Sequence, residues 1–168
     1  MSSDFVEDVE MKQQQLVQEF NNFREQLSDV LFYGRRVSRE NLVDLKDSLR
    51  NGIGSHIGAV REILLPALSE QTDALLNPVD IVASVQNQLE AVVDETVDKI
   101  DHFVDPEAPD ESRNDAARES LKHLYRIDGL LNTYLRIITD NVLETAEEVL
   151  DEDEQEEFLE RLKTPSEI

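Results

Sequence analysis

The stretch LVDLKDSLRNGIGSHIGAVREILLP, residues 42–66, decides how the rest of the chain is read. Its apolar residues Leu42, Leu45, Leu49, Ile53, Val60 and Ile63 fall at steps of three, four and seven, and His56 lies on the same line. That spacing gathers them on one face of an α-helix and on neither face of a strand. Ser38 stands where an N-cap would open this helix, and Pro66 stands towards its end. Two features break the pattern. An imidazole sits in the middle of the apolar stripe, and Gly52, Gly54 and Gly58 crowd around it.

Outward from this helix the same periodicity recurs, and no segment alternates with period two. Before it, Phe5, Val9, Leu16, Phe20, Phe23, Leu27 and Val30 trace a first helix that should stop near Gly34. Arg35 and Arg36 follow that stop, well placed against the negative end of a helix dipole. After it, Asn77-Pro78 reads as a cap followed by a proline at the first helical position. The third helix then carries Val82, Val85, Leu89, Val92, Thr96, Ile100 and Phe103. Asp105 to Asp115, dense in acids and holding two prolines, reads as the main loop. A fourth helix runs from Leu121 through Leu124, Leu131, Ile138, Val142 and Ala146 to Val149, its stripe widened by Ile127, Tyr134 and Ile137. Asp151 should cap a short fifth helix bearing Phe158, Leu159 and Leu162.

Long amphipathic helices joined by short connections force neighbours to be antiparallel. The expected fold is all-α: an up-down-up-down four-helix bundle with a short C-terminal fifth helix. Residues 1–163 read as one domain and 164–168 as a frayed tail. Phe5, Val6 and Val9 either project beyond the bundle, where a second copy could pair with them, or pack on the short fifth helix.

The chain has 168 residues, no Cys, and 38 acidic against 16 basic side chains, a formal charge of −22. Without Cys there is no disulfide, thiolate metal site or Cys nucleophile. The charge excludes nucleic acid and anionic membrane surfaces as partners. No apolar run approaches the ~20 residues that span a bilayer, and the acidic N-terminus is unlike a signal peptide's basic start. A soluble, cytoplasmic protein is expected. Lys is scarce, 5 against 11 Arg, beside 17 Asp and 21 Glu. That balance points to the salt-rich cytoplasm of a halophile, because at ~1 M salt the Debye length shrinks to about 3 Å and surface carboxylates stop repelling one another.

Bundle cores house metals, and helix geometry decides whether the three histidines can share one. Measured from the turn between the third and fourth helices, His102, His123 and His56 fall at heights of about 3, 13 and 25 Å. A metal–nitrogen bond of about 2 Å cannot join any two of them. His102 and His123 lie at stripe edges, each with a carboxylate one turn away: Asp98 for the first, Glu119 for the second. His56 instead faces an apolar ring in which Tyr134, Gln13 and Gln86 are the polar exceptions, and Tyr134 is the expected hydrogen-bond partner of the buried imidazole.

Each glycine costs about 1 kcal/mol relative to Ala inside a helix. Three explanations fit the cluster, in this order: a break at Asn51-Gly52; a smooth second face, with Gly54 and Gly58, on which another backbone could rest; or room for a ligand beside His56.

The segment from His56 to Leu68, HIGAVREILLPAL, resembles the second helix of hemerythrin-like (HHE) domains. There an iron-binding His and a Glu four residues later precede a Leu-Phe-Pro-like motif that ends the helix. The likeness extends over Leu16 to Leu162, taking in the layout of four helices and the acidic run Asp151 to Leu159, which looks like the family's closing turn and short helix. It implies a di-iron carboxylate bundle, and the departures bear on that directly. His56 matches a ligand, but the bridging Glu falls on Val60. The other ligand positions fall near Phe20, Leu89 and Ile137 or Ile138, with Asp140 the one carboxylate remnant and Glu62 out of phase with the core. What the resemblance implies is a bundle whose metal site has been replaced by an apolar core, with no metal and no cofactor.

The expected function is therefore a non-catalytic interaction or regulatory module, working through a protein partner or self-association. Gly54 and Gly58 form one candidate surface, and Arg35, Arg36 and Arg39 another that would take an acidic partner. The alternative is binding or sensing of a small molecule, gas or metal at a mid-bundle pocket with His56 and Tyr134. Catalysis is not expected, since the carboxylates spread over solvent faces and do not converge in a cleft.

Overall fold

A computed structural model describes residues 3–33, 39–70 and 76–162. All regular structure among the described residues is helical. The elements are α1 (Ser3–Tyr33), α2 (Arg39–Ala59), a π-helical turn (Val60–Leu64), α3 (Leu65–Ser69), α4 (Leu76–Val104), α5 (Asp110–Asn141), α6 (Leu143–Val149) and α7 (Glu152–Arg161). No described helix is long and apolar enough to cross a membrane. Gly34, Arg35, Arg36, Ser38 and the tail 164–168 lie outside the described residues, as does the side chain of Arg39.

The apolar stripes read from the sequence are the faces that become buried. Phe5, Val9, Leu16, Phe20, Phe23 and Leu27 of α1 join Leu42, Leu49 and Ile53 of α2 in one core. Val82, Leu89 and Ile100 of α4 and Leu124, Ile127, Leu131 and Ile138 of α5 complete it. α4 and α5 pack antiparallel and form the most extensive helix pair, while α1 lies against α2 and α5, and α2 against α4. Cross-helix pairs mark the seams. Gln13 and Arg24 of α1 meet Thr139 and Asp128 of α5; Lys46 and Arg61, in α2 and the π turn, meet Asp101 and Glu90 of α4.

The glycines do not break the helix. α2 runs unbroken through Asn51-Gly52, Gly54 and Gly58 to Ala59. Burial of Ile53 and Ile57 on either side of Gly54 holds the segment helical against its propensity. The irregularity comes later, at Val60–Leu64, where the Leu65 N–H reaches back to the Val60 carbonyl. Pro66 is the physical reason: it has no N–H to give and its ring would collide with a carbonyl one α-turn back, a conflict that a widened π turn relieves.

Three other boundaries differ from expectation. α4 is already helical at Leu76, so Asn77 lies inside it rather than capping it. Pro78 is tolerated there because first-turn N–H groups have no intrahelical partner. The main loop is shorter than Asp105 to Asp115: Pro109 is the N-cap, and Asp110 and Glu111 occupy the first turn of α5, where the positive end of the helix dipole favours carboxylates. The fourth helix is interrupted at Val142, whose φ of −122° separates α5 from α6 although its N–H still reaches the Ile138 carbonyl.

Asp151 caps α7 as expected, in a reciprocal box: its side chain accepts from the Glu154 N–H, and the Glu154 carboxylate accepts from the Asp151 N–H. Phe158 and Leu162 are fully buried, and Phe158 meets Phe5 at a ring-centroid distance of 6.0 Å. The start of α1 is thus packed on the C-terminal helix and does not project.

Candidate functional site

His56 is where the stripe placed it, 3% exposed on the inner face of α2 between Ile53 and Val60. Burial, reinforced by the positive charge of Lys12 on α1, lowers its pKa to about 4, so the ring is neutral at neutral pH. Its Nε2 atom is buried and has no hydrogen-bond partner.

Tyr134 is not that partner. It is buried on α5, but its hydroxyl accepts from Gln86 Nε2 of α4 at 3.2 Å. α5 packs along α4 from the His102–Ser112 corner upward, which brings Gln86 to the phenol. Loss of solvent raises the Tyr134 pKa, against the opposing effect of the Gln86 hydrogen bond, so the phenol stays protonated. The other polar residues that are buried as a whole find partners: Thr96 and Ser120 donate to the Val92 and Ala116 carbonyls, and Gln13 accepts from Thr139, although single buried atoms of the half-buried Gln15, Arg113, His123 and Glu147 also lack one. Against that background the orphaned imidazole stands out.

The remaining histidines lie elsewhere. His102 pairs with Ser112 at the α4–α5 corner, and His123 Nε2 faces Glu95 at 3.7 Å. Among the described residues no three His, Cys, Asp or Glu side chains are grouped to hold an ion. Phe20, Val60, Leu89 and Ile138, at the positions where the resemblance would put iron ligands, are buried apolar side chains. Asp140 is exposed beside Arg136, and Glu62 is paired with Arg161.

The glycine face has two different fates. A Cβ at Gly58 would meet Arg161 Nη2 of α7 at 3.5 Å, so α7 already covers that end. A Cβ at Gly54 would meet nothing within 4 Å. Gly54 opens onto a groove of about 570 Å³ between α2 and α4. Its floor is Ile53, Ile57 and Val93, buried; its walls are Arg50, Asn51 and Ser55 on one side and Glu90 and Asp94 on the other. Glu90 is bound to Arg61 at 3.0 Å, whereas Arg50 and Asp94 take part in no ion pair or side-chain hydrogen bond among the described residues. His56 lines neither this groove nor those between α1 and α5 or α1 and α2.

Reading the sequence missed the α4 wall of this groove, because Glu90 and Asp94 look like ordinary solvent-facing acids. It also missed Lys46, only 8% exposed and bound to Asp101 across the α2–α4 seam. That one had a signal: Lys46 falls on the apolar line of Leu42 and Leu49. Comparison of the chain with family models, curated proteins and solved structures returns no match.

Proposed function

We propose that the chain is a non-catalytic, metal-free helical bundle of hemerythrin-like descent that acts as an interaction or regulatory module in a salt-rich cytoplasm. The observation that carries this reading is the contrast between the two sides of α2. Its inner face is closed, with His56 only 3% exposed. Its outer face is open at Gly54, beside two charges without partners among the described residues. An up-down-up-down arrangement is supported by the cross-helix pairs: rising residue numbers on α1 meet falling ones on α5, and the same holds between α2 with its π turn and α4.

The chain has no Cys, so Ser55→Cys on the groove wall gives a unique thiol. An interaction module predicts that maleimide labels this thiol several-fold more slowly in cells than in dilute purified protein. Equal rates would contradict the reading.

A second reading rests on the orphaned His56 Nε2, a donor or an acceptor according to tautomer, which a small polar ligand in the core would satisfy. It predicts a bound small molecule in native mass spectra of the wild type that His56→Leu removes. Identical spectra for the two proteins would dispose of it.

A further inference from the structure

We infer that the partner at the Gly54 groove is a second copy of this chain, docked so that Arg50 of each copy pairs with the partner subunit's Asp94. This deepens the interaction reading and rests on it. Beside the Glu90 carboxylate held by Arg61, the groove offers one cation, Arg50, and one anion, Asp94, both exposed and both without a partner among the described residues, on opposite walls. The Lys46–Asp101 and Arg61–Glu90 pairs set the register of α2 against α4 and bring Asp94 level with Gly54 across the groove. Arg50 lies one turn earlier on α2, about 6 Å along the axis. A two-fold axis that sets Arg50 of one copy against the partner subunit's Asp94 therefore passes beside Gly54, where a Cβ would meet nothing within 4 Å. The contact is isologous, each copy supplying what the other lacks. A surface of one sign would leave either Asp94 or Arg50 facing a like charge, whereas a second copy presents both signs at the matching spacing.

The formal charge of −22 on each chain opposes this association in dilute buffer, so the test belongs in molar salt. Sedimentation equilibrium in about 2 M KCl is expected to show a monomer–dimer equilibrium. Arg50→Asp and Asp94→Arg should each weaken it by about tenfold or more, and the double exchange should restore it to within about threefold of wild type. Both positions are exposed, and helicity measured by circular dichroism checks that each variant folds. Gly54→Leu should abolish the dimer while leaving the monomer folded. A wild type that stays monomeric at about 100 µM, or a dimer indifferent to the single reversals, overturns the assignment. If Ser55→Cys is protected in cells while the purified chain is monomeric, the second copy is wrong and the interaction reading survives. If labelling rates are equal at a concentration where the purified chain is monomeric, both fall.

Discussion

His56 shows at the scale of one residue how a buried polar group shapes stability. In the fold it stays neutral down to about pH 4, whereas the unfolded chain takes up a proton near the ordinary value of 6.5. The unfolded state binds more protons across that window. The resulting stability is complete above pH 6.5 and is lost as pH falls towards 4, by about 3 kcal/mol in total. His56→Leu removes both the titration and the orphaned Nε2. The variant should be more stable than wild type by about 1–3 kcal/mol at pH 7 in urea unfolding, and the gap should widen at pH 5. A variant less stable at both pH values would refute this picture of the site. The burial of His56 was legible because its phase on the helix is fixed by Ile53 and Val60. Its hydrogen bonding was not. That depends on which neighbour reaches the phenol of Tyr134, and Gln86 on the adjacent helix does.

At the scale of elements, strain and support are distributed unevenly along the chain. Gly54 is exposed within a regular helix and has open space around its Cβ position. Gly54→Ala should therefore raise the stability of the monomer by about 1 kcal/mol, with Gly58→Ala giving no more than that because Arg161 lies in van der Waals contact. Thermal melts of the two variants test the pair, and a loss of stability at Gly54 would be the contrary result. The capping box of α7 makes an opposite prediction. Asp151→Ala removes a hydrogen bond to the Glu154 N–H and should cost about 1–2 kcal/mol. Protease sensitivity of α7 should increase with it, since this helix seals Phe158 against Phe5. Unchanged unfolding and proteolysis would show that α7 does not depend on its cap. The cap was readable from Asp151 and Glu154 alone, because both partners are local. The π turn was not readable. Pro66 announces that the helix must yield, but where it yields depends on how Val60 and Leu64 are packed in the core. The acids Asp110 and Glu111 misled for a related reason: side chains that populate loops also suit the first turn of a helix.

The whole molecule combines a continuous apolar core with a surface of strongly one-signed charge. Self-repulsion of that surface opposes compaction until salt screens it, so the melting temperature should fall when KCl is lowered from about 2 M to about 0.1 M. A melting temperature that holds steady would remove the reason for placing the protein in a salt-rich cytoplasm. The helical class and the stripes were legible throughout, since periodicity decides both. The open groove at Gly54 was not, since it arises where α2 and α4 lie side by side and belongs to neither segment alone. The central claim is the proposed reading, a metal-free bundle that works through the outer face of α2 while His56 is buried on the inner one. Its most direct test is metal content by elemental mass spectrometry, on tag-free protein purified in molar KCl without chelator. The prediction is substoichiometric metal of any kind; a full di-iron complement per chain would contradict it.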